Sequence, residues 1–323
     1  MRSSRSPASA QHAPVLDLTH RLLGRFHVTG VFWYRFACRA FATLPPWLDR
    51  PIIAVFSVGF FLALGRIRGA LASNLEPILG KAGRWERWRR SFMTMWTFAW
   101  CFAERYRRLA EPERFTSILE GEEHWRQLMA SPLGAVLVTA HIGPWENAAQ
   151  FGASASDRRI HVVREKEIDP RAQAFVSEIL SRQNKNCVTH FSGDDVTLAL
   201  TLADALRQGE IVALQGDRPR AGGRVVVASL FGRPMPLPIG PAALARATGV
   251  PIVPIFSFRE GRFLSRAVVR TPFLVASTAD RSADIAGAVN HLAGEIEWAI
   301  RQRPYQWFCF RQLWDRAYQE SPR

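Results

Sequence analysis

From about residue 133 to 270 the chain alternates short β-branched runs with amphipathic stretches of helical period, the pattern of strands joined by crossover helices. The predicted strands are AVLVTA (135–140), IHVV (160–163), IVALQ (211–215), RVVVAS (224–229), PIVPIF (251–256) and FLSRAVVR (263–270). Helices are expected over 144–155, 170–183, 194–208, 239–248 and 280–302, the last ending before Pro304. The fold class is therefore α/β, with a central, mostly parallel mixed sheet flanked by helices.

Before residue 130 the texture differs. No strand-like segment stands out, and apolar helical stretches are broken at Pro45-Pro46, at Gly65 to Gly69 and at Gly80 to Gly83. The run PIIAVFSVGFFLALG between Arg50 and Arg66 would reach roughly 22 Å as a helix, short of a hydrocarbon core of roughly 30 Å. It could span only by recruiting neighbours; the preceding VFWYRFACRAFATLPPW, interrupted by Arg35, Arg39 and Pro45-Pro46, suits an interfacial or re-entrant segment, and the bland alternative for the run is a buried core helix. Trp85, Trp88, Phe92, Trp96 and Trp100 recur at three- and four-residue steps among arginines, which fits a headgroup interface or a face packed on the main domain. The organisation expected is a disordered stretch at 1–20, a helical membrane-associating region at 21–130 and an α/β catalytic core at 131–323.

Charge narrows the partners. A formal charge of +14 asks for something anionic: nucleic acid, an anionic bilayer, or an acidic carrier. Nucleic acid fits poorly, since zinc-ligand spacing, RNP-like strands and a lysine-rich tail are all missing while apolar runs are plentiful. The four scattered cysteines include no C-x-x-C pair, which fits free thiols in a reducing compartment. The N-terminal positive charge has no apolar run behind it, unlike an ordinary secretory signal.

The candidate chemistry sits in AVLVTAHIGPWENAAQF. His141 ends a buried strand and Glu146 opens the next helix. Residues five apart on one helix point about 140° away from each other, so the two can meet only across a bend. Gly143 and Pro144 supply one, leaving His141 in the turn. An imidazole steadied by a carboxylate can take the proton of an attacking hydroxyl. No nucleophilic serine is evident; GASAS at 152–156 lacks the second glycine of a nucleophile elbow. Arg164 follows one predicted strand and Asp217-Arg218 another, so all three polar sets lie at carboxyl ends of strands, where open α/β sheets place active sites. The bland readings are a solvated cluster around Arg164 and a local ion pair at 217–218.

With these residues in view, the chain resembles the lysophospholipid acyltransferase superfamily, and within it the late acyltransferases of lipid A biosynthesis. HIGPWE resembles the H-x-x-x-x-D/E signature, VVR (162–164) the arginine block, and GDRP (216–219) with the following SLFGRPMPLPIG the later blocks. RPYQWFCF resembles the P-x-Q-W ending and RGALASNLEPILG the early R-x(n)-N-L segment. The resemblance implies His141 as general base with Glu146 orienting it, and Arg164, Asp217 and Arg218 around the substrate. It also implies an acyl carrier protein or acyl-CoA donor, a membrane lipid or glycolipid acceptor, no metal or other cofactor, and a place on the cytoplasmic face of an inner membrane. A hydrolase using the same histidine pair is the nearest rival.

Overall fold

The computed structural model describes residues 31–146, 158–165, 169–183, 186–192, 196–220 and 222–314. The expected disorder at 1–20, the expected helix beyond Glu146 and the GASAS segment lie outside them.

Helices α1 (Val31–Thr43), α2 (Asp49–Ala63), α3 (Gly65–Leu79) and α4 (Arg84–Ala110) come first, the first three packing on α4. Then follow β1 (Thr116–Glu120), α5 (Glu122–Ala130), β2 (Ala135–Thr139), β3 (Ile160–Glu165), α6 (Pro170–Gln183), β4 (Cys187–Ser192), α7 (Val196–Arg207) and β5 (Ile211–Gln215). A hairpin, β6 (Val225–Leu230) and β7 (Arg233–Pro238), leads to α8 (Gly240–Thr248), β8 (Ile252–Gly261), β9 (Leu264–Val269) and α9 (Arg281–Gln302).

Seven strands form one sheet in the order β1-β9-β8-β2-β5-β3-β4, parallel throughout except between β8 and β9. The alternating faces of β2 explain its unbroken hydrophobicity. Val136 and Val138 join a cluster with α7, α8, α9 and the hairpin, while Ala135 and Leu137 meet Trp125 and Leu128 of α5. A strand covered on both faces needs apolar residues on both. Asp280 caps α9, its side chain accepting from the Ser282 and Ala283 N–H groups.

The fold also holds strands that the sequence pattern hides. β1 begins within the region expected to be helical, and pairs with β9 at the sheet edge, where its largely exposed TSILE needs no apolar alternation. β7 contains Pro234, Pro236 and Pro238. Their ring nitrogens lie two residues apart on one edge of a strand that pairs only with β6, so no ladder hydrogen bond is lost.

The aromatic stripe of α4 grades from solvent into core: Trp85 is 77% exposed and Trp100 8%. Its middle clasps the end of α2, with Phe61 edge-on to Trp88 and Phe92 at centroid distances of 5.9 and 5.3 Å. The other end of α2 is held by buried Asp49, which pairs with buried Arg107 of α4 at 2.5 Å. Along α2, Val55, Val58, Phe60 and Leu62 face outward. By length and composition alone, the 18 residues of Pro46–Ala63 could cross a membrane.

Candidate active site

Strand register builds the site. β2 and β5 are parallel neighbours with Thr139 opposite Gln215, so two further residues along each strand bring His141 beside Asp217. The backbone links continue past the strands, since the Gly216 N–H donates to the Thr139 carbonyl. Gly216 is required by closeness: a Cβ there would lie 2.7 Å from Val138 Cγ1.

At the bend, Gly143 adopts φ +55°, and a Cβ on it would stand 2.4 Å from the Ser257 carbonyl oxygen. The turn is clamped by the C-terminal segment. The Gly143 N–H donates to the Gln306 carbonyl and the Phe308 N–H to the His141 carbonyl, both at 2.9 Å. Gln306 in turn bonds both backbone groups of Arg259 through its side chain. Buried Asn74 of α3 donates to the carbonyls of Cys309 and Arg311, and accepts from the Leu313 N–H. The two end segments that carried part of the resemblance thus hold each other and the histidine turn.

His141 Nδ1 lies 2.7 Å from Asp217 Oδ1, and Trp307 Nε1 donates to Asp217 Oδ2 at 3.2 Å. Asp217 is buried, which opposes its ionisation, yet the charges of His141 and Arg218 and these hydrogen bonds hold it well below the usual carboxylate range. An ionised Asp217 fixes the proton on Nδ1 and turns the Nε2 lone pair outward. The His141 side chain is one-fifth exposed, and among the described residues nothing bonds Nε2. Arg218 Nε also approaches Nδ1, at 3.0 Å, while its terminal nitrogen donates to the Phe308 carbonyl. A protonated Nδ1 has no lone pair for it, so Arg218 serves here as a counter-charge to Asp217.

Glu146 takes a different position from the one the motif suggests. Its Oε2 meets Arg105 Nε of α4 at 2.6 Å and its Oε1 accepts from Arg164 at 2.9 Å. Burial opposes its charge, but the two guanidinium groups, with a smaller effect from His141, keep its pKa below the ordinary value. The expected His141–Glu146 hydrogen bond is therefore replaced by two relationships. Asp217 holds the imidazole, and Glu146 couples the bend to α4 and to the end of β3. Arg105 and Trp307 had no assigned role in the sequence reading, because both reach the site from elements remote in the chain.

Beside the bend lies a cavity of about 220 Å³, bounded by Pro144, Trp145 and Glu146 on one side and by Phe98, Phe102 and Phe115 on another. Among the described residues no three His, Cys, Asp or Glu side chains converge as a metal site requires. The four cysteines are free thiols, and burial raises the pKa of Cys187, contrary to what a nucleophile needs.

A buried carboxylate behind a partly exposed imidazole, at the carboxyl ends of a parallel sheet, is a geometry from which an imidazole can act as a general base. Residues 21–316 match the bacterial lipid A biosynthesis acyltransferase family, and the chain belongs to that family of acyltransferases. It is also similar to the phosphatidylinositol mannoside acyltransferases of Mycobacterium tuberculosis strains H37Rv and CDC 1551. With each it shares 28% identity over 220 residues, which is 68% of this chain and 66% of the relative.

Proposed function

We propose that the protein moves a fatty acyl group from a thioester, carried by acyl carrier protein or coenzyme A, to a hydroxyl of a membrane glycolipid. His141 Nε2 takes the hydroxyl proton as the oxygen attacks the thioester carbonyl. The tetrahedral intermediate collapses with loss of the thiolate, which receives that proton from the imidazolium. Asp217 holds the tautomer and stabilises the cation, acting through His141. Arg218 and the Glu146–Arg164 pair set the charge around the reacting groups, and Arg105 fastens that pair to α4. The observation that carries this reading is the 2.7 Å contact of His141 with buried Asp217, which leaves Nε2 without a bond to any described residue.

The acceptor we favour is a lipid A-like or mannosylated phosphoinositide-like glycolipid, on the strength of the family and of the relatives' names. The setting we favour is the cytoplasmic face of the inner membrane. The outward apolar face of α2, with Trp47 and Trp85 exposed near its ends, supports a helix lying in the interface plane. Both ends of α2 are tied to α4, an arrangement that suits lying on the bilayer better than crossing it.

Lipid profiling by mass spectrometry of a deletion strain tests the reading. A glycolipid short by one acyl chain, restored by the wild-type gene and not by His141→Ala, is the expected result. An unchanged lipidome, or purified protein that releases only free fatty acid, would replace the transferase with the rival hydrolase.

A further inference from the structure

The cavity beside the histidine bend is mostly aromatic, yet charged side chains reach it: Glu104, Arg105, Arg108, Glu146 and Arg259. Both carboxylates are already engaged. Glu146 holds Arg105 and Arg164, while Glu104 accepts from Arg259 Nε and its terminal nitrogen at 2.8 and 2.9 Å and from the Phe263 N–H.

Arg108 stands apart from these pairs. Its guanidinium lies 4.4 Å from the centroid of the Phe115 ring, and it forms no hydrogen bond or ion pair with any described residue. Burial lowers its pKa, the signature of a cation short of solvent. The charge of Glu104 acts on it, but that carboxylate is bonded to Arg259, so a cation partly withdrawn from water has no bonded counter-ion among the described residues. The ring braces one face of the guanidinium plane and leaves its N–H edge for oxygen.

We infer that this cavity is a binding site for an amphiphile bearing a phosphate or phosphodiester, with Arg108 as the anion receptor and Phe98, Phe102 and Trp145 against the apolar part. The three arginines that line the cavity outnumber its two glutamates, one of which Arg164 also shares, so the cavity carries an excess of positive charge. A phosphate oxygen pair matches the guanidinium fork, and charge-assisted bonds of this kind favour a phosphate over an uncharged analogue. As a substrate site the inference rests on the proposed acyl transfer at His141. The phosphate would then belong either to the glycolipid acceptor or to the phosphopantetheine arm of the donor.

The test is a binding titration of the full chain in neutral detergent with hexyl phosphate and with hexanol, read by calorimetry. Wild type is expected to prefer hexyl phosphate by about tenfold or more, the factor that 1.4 kcal/mol of charge-assisted bonding supplies. Arg108→Gln should abolish the preference without changing hexanol binding, and Arg108→Lys should restore part of it. Phe115→Leu, which keeps the charge and removes the brace, should weaken both ligands. Displacement of hexyl phosphate by palmitoyl-CoA alone would assign the phosphate to the donor, and displacement by lysophosphatidylinositol alone would assign it to the acceptor. Equal affinity of wild type and Arg108→Gln for hexyl phosphate, or displacement by neither lipid, would overturn the inference. Because binding is read without turnover, intact Arg108-dependent binding in a protein that transfers nothing would refute the acyl-transfer reading and leave this site standing.

Discussion

Asp217 sits two residues past the end of β5 and His141 two residues past the end of β2, and parallel register turns that equal offset into a 2.7 Å contact. The relationship is rigid because most of β2 and Asp217 itself are buried and Gly216 is locked to Thr139. Any change in their pairing would part the imidazole from its carboxylate.

Asp217→Asn tests this pairing. The amide is nearly the same size, but it can present its N–H to Nδ1 and favour the wrong tautomer. The rate at saturating substrate should fall by about 10² to 10⁴-fold with KM little changed. Asp217→Glu, which keeps the carboxylate, should recover part of the rate, and an unchanged rate in Asp217→Asn would show that Asp217 does not act through His141.

Glu146→Gln should behave differently. Arg105 and Arg164 would be left facing each other without their shared counter-charge, so the variant should lose about 1–3 kcal/mol of stability in urea unfolding. Since Glu146 bonds the arginines and not the imidazole, the variant's rate should fall less than that of Asp217→Asn. A larger fall would return Glu146 to the orienting role that its place in the motif suggests.

The contrast shows what local sequence can and cannot convey. The bend at Gly143-Pro144 is written in neighbouring residues, and so is the position of His141 at a strand end. The partner of the imidazole is 76 residues away, and only the order of strands in the sheet brings it there. Arg105 is harder still to foresee, being one of many arginines on a helix whose packing depends on the whole N-terminal layer. β7 escapes notice because prolines argue against strands unless one knows which edge stays unpaired.

Acid should remove the stability that the two site carboxylates contribute. The folded pKa values of Glu146 and Asp217 lie below their ordinary values of 4.5 and 3.8, so between the folded and ordinary values the unfolded chain binds protons that the folded chain does not. Stability therefore climbs with pH through that window, is fully present above it, and is lost as pH falls. Urea midpoints should stay flat above about pH 5 and drop below it. Glu146→Gln and Asp217→Asn should each flatten the drop; a drop of undiminished steepness in both would place the acid-sensitive groups elsewhere.

The pair beneath α2 yields the largest stability effect we expect. Arg107 and Asp49 are each almost fully buried, and Arg262 also reaches the carboxylate. Removing one partner of such a pair leaves a charge stranded, whereas replacing both with apolar residues can be nearly neutral. Arg107→Met should therefore cost about 3–5 kcal/mol in urea unfolding, and adding Asp49→Leu should recover most of it. The pair ties α2 to α4 and lies away from the His141–Asp217 contact. The double variant should thus keep its acyl-transfer rate in detergent, while binding to anionic vesicles reports whether α2 still lies along α4. Recovery of stability with loss of vesicle binding would show that the charges orient the apolar face, and recovery of both would reduce the pair to a replaceable part of the core.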